Sequence, residues 1–444
     1  MVAEPAAADG ARHRYRALLI ADDLTGALDT GHSFAGRGRS VTAILADADG
    51  GDPIDGCDPI DLSDPPDADV LVVDTDSRAV PPAVAARRVR RAMERYTATV
   101  TYKKIDSTLR GNVAAEVDAA LAASGARLAV VAPAFPATGR RTREGVHYVD
   151  GEPLAEAGYG VDDSTLAAVF ADSTHPRERL PLGVVTRGAD AVADRLRALA
   201  ADDEPRLVLC DAAAADHLRA VADGASAAST AILYVGSGGL AEHVVLPEPA
   251  DVPRPPPSPG TGTLGVIGSV NARTLEQLAA VDEALLVRID PATAVREPAT
   301  VPERVAPRLA ARLRSRGSAV LTAAVDRSDV ERARAAASHV DESIEVGDRI
   351  ADVLGATAAR ATLAPASPTP AGLCLSGGHV ARTTLEAFAA TRVGLTGREV
   401  GDGIPIGWID DGPAAGMRLA TKAGGFGSEG AIVNCLRVVA ADHE

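Results

Sequence analysis

The chain has 444 residues, enough for two or three domains, and its 46% hydrophobic and 24% charged residues are typical of a globular protein. The formal net charge of −16 opposes binding to nucleic acid and to anionic membrane surfaces, and an aromatic content of 3% leaves few side chains for base stacking. The four cysteines show no CxxC spacing, and no apolar run reaches the roughly 18 residues of a membrane span. We therefore predict a cytoplasmic protein with neither a disulfide framework nor a zinc site.

Short apolar runs alternate with Ala- and Arg-rich stretches, a pattern that predicts parallel sheets flanked by helices. Residues 1–16 contain no signal-peptide core and are predicted to form a disordered tail. The strands predicted in the first half are Ala17–Ala21, Val41–Leu45, Val70–Asp74, Val100–Ile105, Leu128–Ala132, Leu182–Thr186, Leu207–Cys210 and Ile232–Val235. The helices predicted there are Thr25–Ala35, Pro81–Arg95, Val113–Ala123, Ala189–Ala200 and Ala213–Val221.

A proline-rich segment divides the chain. Residues 246–260 read LPEPADVPRPPPSPG, and seven of these fifteen residues are proline, which favours a semi-rigid linker. Beyond it the predicted strands are Leu264–Gly268, Leu285–Ile289, Ala319–Thr322 and Gly372–Leu375, followed by a small antiparallel section within Arg392–Lys422. The predicted helices are Thr274–Val281, Pro302–Arg314, Asp329–Ser338, Glu345–Leu354, Ala381–Ala390 and Ala431–Val439. We predict two α/β domains with mainly parallel sheets, residues 1–246 and 261–444, joined by a linker over 247–260.

Polar residues follow several predicted strands of the first half. In open α/β sheets, ligands bind beyond the carboxyl ends of the strands. Asp22 and Asp23 follow the first strand, and each could hold a metal, act as a base or cap the next helix, with Asp23 the better cap. Arg78 follows the third strand and could bind a carboxylate or phosphate through two hydrogen bonds, or form a surface ion pair.

Lysine is unusually scarce. Only Lys103, Lys104 and Lys422 are lysine among 45 basic residues, so each is a candidate for a site that requires a compact ammonium, with chance survival as the alternative. The first two open the run KKIDSTLRGN, which ends at Asn112 and leads into a predicted helix whose N-terminus would also attract an anion.

Three glycine-rich turns lie in the second half, at Gly268–Asn271, Ser376–His379 and Lys422–Gly427. Glycines let backbone N–H groups approach phosphate oxygens, so three such turns in one domain predict a nucleotide, although each alone fits an ordinary turn. Two GxGxxG matches, at 260–265 and 425–430, leave a nucleotide-dependent dehydrogenase as a rival. The first precedes a strand and the second has no strand after its helix, so neither fits the dinucleotide fingerprint.

Several longer motifs are similar to those of the four-carbon acid sugar kinase family. They are IADDLTGALDTG, DTDSR, YKKIDSTLRGN, APAFPATGRRTREGVHYVDGEPL and GSGGLA in the first half, and IGSVNARTLEQL, SGGH and TKAGGFG in the second. The resemblance implies an N-terminal acid-sugar domain and a C-terminal ATP domain. It also implies ATP-dependent phosphorylation of the terminal (C4) hydroxyl of a tetronate such as threonate or erythronate.

The resemblance assigns site residues. It implies that the acid sugar is contacted by Asp22, Arg78, Lys104, Ile105, Asp106 and Ser107, and ATP by Ser269, Gly377, Gly378 and Gly425. We also expect Lys422 and Gly424 to contact the triphosphate. Asp22 is the first candidate for the catalytic base and Asp106 the second. Mg²⁺ is expected with ATP, with no ligands assigned. The expected partner is a small acid sugar, with no nucleic acid or membrane, and a homodimer is left open.

One position departs from the family pattern. An acidic residue usually follows the paired glycines, whereas His379 stands there in this chain. A neutral imidazole cannot replace a carboxylate as an Mg²⁺ ligand, whereas a protonated one would attract phosphate. We expect His379 to be a spectator, with a phosphate contact as the alternative. A non-catalytic protein that binds tetronate is the rival function.

Overall fold

The computed structural model describes residues 14–45, 66–228, 230–246, 255–338, 345–401 and 403–440. The chain forms two compact units. Unit 1 comprises Met1–Asp22 and Asp47–Pro249, and unit 2 comprises Asp23–Ala46 and Ala250–Glu444. In the ranges given above, no helix is long and apolar enough to cross a membrane.

Helices and strands alternate along both halves of the chain. The strands are β1 Arg14–Ala21, β2 Val41–Leu45, β3 Val70–Asp74, β4 Thr97–Lys104, β5 Leu128–Ala132, β6 Arg140–Arg143, β7 Val146–Val149, β8 Glu152–Pro153, β9 Arg177–Leu180, β10 Arg206–Cys210, β11 Ile232–Gly236, β12 Thr263–Ile267, β13 Leu286–Arg288, β14 Ser318–Thr322, β15 Gly372–Ser376, β16 Arg392–Glu399, β17 Pro405–Ile409 and β18 Arg418–Lys422. The helices are α1 Leu24–Ala35, α2 Pro82–Arg95, α3 Val113–Ser124, α4 Leu166–Val169, α5 Leu182–Val185, α6 Ala189–Leu199, α7 Ala215–Ala227, α8 Gly238–Ala241, α9 Ala272–Ala279, α10 Pro291–Arg296, α11 Val301–Arg316, α12 Arg327–Ala337, α13 Val346–Leu363, α14 Gly378–Ala387 and α15 Ala431–Ala440.

Unit 1 is built on a parallel sheet. Its strands lie in the order β3-β1-β4-β11-β5-β10-β9, and each neighbouring pair is parallel. Strands β3, β5 and β10 are buried along their whole length, which explains why they appear in the sequence as continuous apolar runs rather than alternating ones. A small antiparallel sheet, β6-β7-β8, belongs to the same unit.

Unit 2 has a mixed sheet in the order β13-β14-β12-β15-β18-β17-β16-β2. The first five strands are mutually parallel, and the last three continue the sheet in antiparallel pairs. The predicted α/β class and the antiparallel section within Arg392–Lys422 are therefore confirmed.

The sequence prediction differs from the structure at several elements. Leu182–Thr186 was predicted as a strand but forms helix α5, which begins after Pro181, and the edge strand is β9 just before it. Strand β9 has the sequence RERL and buries only Leu180 fully, so its apolar signal is weak. Arg14–Arg16 belong to β1 rather than to a disordered tail, and residues 1–13 lie outside the described ranges. Of the predicted linker, residues 255–260 contain neither helix nor strand, and 247–254 are not described.

The units also differ from the predicted domains. Helix α1 and strand β2 lie in the first 246 residues of the sequence but belong to unit 2. There β2 pairs antiparallel with β16, and α1 packs against β16 and α14. The buried face of α1 includes Leu24, Leu28 and Phe34.

We expect the isolated fragment 1–246 to expose this segment. Arg39 lies just before β2 and is 7% exposed in the whole chain. Strand β16, which pairs with β2, is missing from the fragment. Trypsin should therefore cut after Arg39 at least about tenfold faster in the fragment than in the full chain, because cleavage follows local opening. Cleavage after the exposed Arg197 of α6 is the control and should occur at similar rates in both. Equal rates after Arg39 would show that α1 and β2 do not depend on the rest of unit 2.

Candidate functional site

The first cluster of polar residues lies at the carboxyl ends of β3, β1 and β4. These strands are adjacent and parallel, so the segments that follow them meet at one edge of the unit 1 sheet. Asp22 follows β1, Arg78 lies in the turn after β3, and Asp106 lies in the turn after β4. The structure therefore brings together the residues that the sequence predicted for the acid sugar.

Asp22 and Arg78 form a two-pronged ion pair. Arg78 donates from Nε to Asp22 Oδ2 at 2.7 Å and from Nη2 to Oδ1 at 3.1 Å. The backbone N–H groups of Ser77 and Arg78 also donate to the carbonyl of Asp22, at 3.0 and 3.3 Å. Burial alone would raise the pKa of Asp22, but the charges of Arg78 and two nearby lysines outweigh it and hold the pKa below its usual range. Asp22 is therefore ionised at neutral pH.

Asp106 is held in a similar way within its own turn. Arg110 donates from Nε to Asp106 Oδ2 at 2.6 Å and from Nη2 to Oδ1 at 3.2 Å, and Thr108 donates its hydroxyl to Oδ2. An Arg78 nitrogen lies 3.9 Å from Asp106 Oδ1, so Arg78 faces both carboxylates. Burial opposes ionisation of Asp106, yet the charge of Arg78 and the hydrogen bonds and charge of Arg110 hold its pKa well below the usual range.

Gly111 allows the turn to approach this pair. Its φ is +89°, and a Cβ there would lie 3.2 Å from Arg78 Cγ and 3.4 Å from Asp22 Oδ2. A side chain at this position would therefore be strained and would crowd the ion pair.

The two adjacent lysines have different surroundings. Lys103 is fully buried, and its ammonium lies 2.9 Å from Glu116 Oε2 on α3 and donates to the carbonyl of Lys104 at 2.6 Å. Lys104 is 5% exposed, and its ammonium has no hydrogen-bond or ion-pair partner among the described residues. Its charge nevertheless lowers the pKa of both Asp22 and Asp106, so it lies near them. Lys104 is thus the basic group of this cluster that is available to an anionic ligand.

The other two predicted sugar contacts offer less. Ile105 is 1% exposed, and its N–H donates to the carbonyl of Gly236 at 2.9 Å. Its side chain is therefore part of the core. Ser107 is half-buried, and its carbonyl accepts a hydrogen bond at 2.8 Å from Nε2 of His147.

His147 is a supporting residue that the sequence prediction missed. It is fully buried on β7, and its Nδ1 lies 2.9 Å from the Thr142 hydroxyl. Burial lowers the pKa of His147 to about 4, so the imidazole is neutral. Because the carbonyl of Ser107 can only accept a hydrogen bond, Nε2 of His147 must carry the proton. This hydrogen bond holds the turn after β4 in place. The signal that could have found it is its place in the hairpin motif REGVHYVDGEP.

A second cluster forms at the carboxyl ends of β12, β15 and β18 in unit 2. The N–H of Ser269 donates to Ser376 O, and that of Gly377 donates to Lys422 O, both at 3.1 Å. A Cβ on Gly424 would lie 2.4 Å from Ser269 Oγ, so only glycine allows these two turns to touch. Gly425 is exposed beside them. The three predicted glycine-rich turns therefore meet at one place.

Lys422 is buried within this cluster. It is 1% exposed, and its ammonium donates to the Thr274 hydroxyl at 3.1 Å and to the carbonyls of Ala423, Gly424 and Phe426 at 3.0–3.3 Å. Its donors are occupied by the turn itself. Lys422 thus holds the shape of the 423–427 loop, and its contact with the triphosphate stays a prediction.

The charge of Lys422 gives the loop a pH dependence. Burial lowers the pKa of the Lys422 ammonium to about 8, so it loses its proton as the pH rises through about 8. Since an anion at the loop favours the charged form, we expect the Kd for ATP to rise about three- to tenfold between pH 7 and 9, a change of roughly 0.7–1.4 kcal/mol. Calorimetric titration at several pH values measures this, and Lys422→Met should bind more weakly with a flatter profile. A wild-type profile no steeper than that of the variant would contradict this role.

His379 lies at the start of α14 with its side chain about half exposed. Its Nε2 is 3.3 Å from Asp348 Oδ1 on α13, so an acidic neighbour accompanies it. Helix α14 begins after Gly377, whose φ is +102°, and no side chain caps its first turn in the part of the chain described.

Asp23 also borders this turn. As predicted, its carboxylate caps α1, accepting from the N–H of Gly26 at 3.0 Å. A Cβ on Gly378 would lie 3.1 Å from the Thr25 hydroxyl and 3.5 Å from Asp23 Oδ2. A carboxylate is therefore present at the glycine turn even though His379 replaces the acid of the family pattern. Across the described ranges, no group of three or more His, Cys, Asp or Glu side chains could by itself hold a metal ion.

Comparisons with known proteins identify the family of this chain. A sugar-binding N-terminal domain model matches residues 17–244, and a nucleotide-binding C-terminal domain model matches residues 264–432. The D-threonate kinase of Cupriavidus necator is 33% identical over 431 residues, covering 94% of this chain and 96% of that protein. The chain belongs to the four-carbon acid sugar kinase family.

Other proteins similar to this family member support the assignment. The D-erythronate kinase of Heliobacterium modesticaldum is 33% identical, covering 94% of this chain and 96% of that protein. A crystal structure of a Haemophilus influenzae protein, at 21% identity, superposes with a TM-score of 0.70 and covers 95% of this chain and 100% of that one. This last likeness shows a shared fold.

Proposed function

We propose that this chain is an ATP-dependent kinase that phosphorylates the terminal (C4) hydroxyl of a four-carbon acid sugar such as threonate or erythronate. The observation that carries the proposal is Lys104, a residue only 5% exposed whose ammonium has no hydrogen-bond or ion-pair partner among the described residues and lies near Asp22 and Asp106. In a chain of net charge −16, such a group is the local positive charge that a sugar carboxylate needs. The names of the similar proteins support the same substrate class.

The proposed roles in unit 1 follow from these contacts. Lys104 binds the substrate carboxylate, and Arg78 positions Asp22 and Asp106. Both carboxylates are ionised, and their low pKa values make them weak proton acceptors. Phosphoryl transfer relies mainly on positioning and charge stabilisation, so the carboxylate need only accept a hydrogen bond from the attacking hydroxyl and orient it. Asp22 remains the first candidate for this role and Asp106 the second.

The proposed nucleotide site in unit 2 rests on the turns around Ser269, Gly377 and Gly424. These turns pack closely together, and glycines allow backbone N–H groups to approach phosphate oxygens. Mg²⁺ usually binds one or two carboxylates together with phosphate oxygens, and Asp23 beside Gly378 is the candidate carboxylate. When bound, the ion would neutralise phosphate charge.

A coupled assay of ADP release tests the proposal. The substrates to compare are D- and L-threonate, D- and L-erythronate and 3-oxo-tetronate, each with ATP and Mg²⁺. We expect one acid to be preferred, and threitol, which lacks the carboxylate, to be inactive. If no acid stimulates ADP release, the proposed activity is wrong.

His379 supports one alternative, a protein that binds tetronate without phosphorylating it. The same samples distinguish the two functions. An acid that raises the melting temperature but releases no ADP would favour the alternative, whereas turnover would exclude it.

A further inference from the structure

A cleft of about 350 Å³ in unit 2 has no role in the site described so far. It is lined by Val400, Gly401, Ile404, Gly427, Ser428, Ala431 and Asn434. No charged side chain is among its lining residues in the described ranges. Polar as well as apolar atoms line the cleft, so it suits an uncharged group with polar edges better than a phosphate or a carboxylate.

The cleft is continuous with the glycine-rich loop. Gly424 packs on Ser269 at one end of the loop, and Gly427 lines the cleft at the other. Three residues of extended chain span at most about 11 Å, so one bound molecule can reach from the loop's first glycines into the cleft. Gln277 fixes the loop between them, donating from Nε2 to the carbonyls of Phe426 and Gly427 at 3.1 Å.

Asn434 provides one polar edge of the cleft, and Ser428 is the other polar side chain among its described lining residues. Its Oδ1 accepts one hydrogen bond from Arg437 at 3.1 Å, which leaves a second lone pair, and its Nδ2 has no hydrogen-bond partner among the described residues. Asn is rare in this chain, and the other two residues have structural bonds: Asn112 ties two carbonyls together and Asn271 caps α9. An amide that offers both a donor and an acceptor matches the N6 and N7 edge of adenine.

A second cleft, of about 500 Å³ at the ends of β13 and β14, fits adenine less well. Its lining includes Asp290, Asp326 and Asp329, and Arg332 is paired with two of them at 2.8 and 2.5 Å. Because these charged side chains already form ion pairs with each other, they provide few hydrogen bonds for an uncharged ring.

We propose that the cleft lined by Val400, Ile404, Gly427, Ala431 and Asn434 is the subsite for the adenine ring of the nucleotide, with the Asn434 amide reading its polar edge. This inference rests on the proposed ATP-dependent function and names the part of the chain that selects the base.

Calorimetric binding of ATP, inosine triphosphate and inorganic tripolyphosphate to the full-length protein tests the inference. In the wild type, ATP should bind more tightly than inosine triphosphate, which has an oxygen in place of the amino group. Asn434→Leu should weaken ATP binding about five- to tenfold, bring the two nucleotides to similar affinity and leave tripolyphosphate binding unchanged. Asn434→Trp, which fills the cleft, should weaken ATP binding at least about tenfold.

The matched control is Val433→Trp. Val433 is 41% exposed on the same helix and does not line the cleft, so this variant should bind ATP as the wild type does. If the Asn434 variants bind ATP normally, or lose ATP and tripolyphosphate equally, the adenine subsite is wrong while the kinase proposal stands. If the wild type binds neither ATP nor tripolyphosphate, both fail.

Discussion

Replacing Lys104 by Met is expected to raise the KM for the acid sugar about ten- to a hundredfold, because a charge-assisted hydrogen bond contributes roughly 1.5–3 kcal/mol. The KM for ATP should change little, since the glycine turns of unit 2 are untouched. The side chain makes no hydrogen bond or ion pair within the described ranges, so its loss should lower the stability much less than the loss of a paired lysine, although its charge favours the ionised Asp22 and Asp106. Steady-state kinetics with each substrate varied in turn measures the two KM values.

Lys104→Arg is the matched variant. It keeps the charge but replaces a compact ammonium by a planar guanidinium, so we expect partial recovery of the KM for the sugar. An unchanged KM for the acid sugar in Lys104→Met would remove Lys104 from the site. An equal rise in both KM values would indicate a general disturbance instead.

Replacing the neighbouring Lys103 by Met is expected to act on stability rather than on binding. Lys103 and Glu116 are both buried, and the Ser77 hydroxyl donates to the same carboxylate at 2.5 Å. Removing the ammonium leaves a buried carboxylate without its cation, which costs about 3–5 kcal/mol. For a unit of this size, the melting temperature should fall by roughly 6–20 °C.

The double variant Lys103→Met with Glu116→Leu is the control. Removing both charges should restore much of the lost stability, because apolar groups can replace a buried ion pair. Thermal unfolding by circular dichroism compares the single and double variants. A Lys103→Met protein as stable as the wild type would show that the pair contributes little to the fold.

The contrast between these lysines shows what the sequence could predict. Their scarcity marked both as important, and the strand that contains them, predicted over Val100–Ile105, is present as β4. Their roles depend on which face of β4 is covered by α3, because successive side chains of a strand point to opposite faces. Glu116 lies on that helix, and its pairing with Lys103 cannot be read from the spacing of the two residues.

The ion pair between Asp22 and Arg78 also depends on the packing of elements that are distant in sequence. Each follows an apolar run, so the edge of the sheet could be predicted for both. Their contact requires β1 and β3 to be neighbours, which is a property of strand order and not of either segment. The family motifs around the two residues therefore predicted that both bind the same ligand. The ion pair between them could not be predicted from either motif alone.

The hydrogen bonds of Lys422 could not be predicted from the sequence, for a different reason. A lysine before a glycine-rich turn is a typical phosphate ligand, and the sequence shows no competitor for its ammonium. The competitors are carbonyls of the turn itself, which fold back over the side chain. Backbone groups carry no residue-specific signal, so this arrangement is visible only in the folded structure.

The assignment of α1 and β2 to unit 2 has a consequence for synthesis on the ribosome. Both elements emerge early, but β16, against which both pack, is made near the end of the chain. At a translation rate of about 5–20 residues per second, roughly 20–70 seconds pass between the synthesis of α1 and that of β16. Leu24, Leu28 and Phe34 are therefore open to chaperones or to a neighbouring nascent chain throughout that interval.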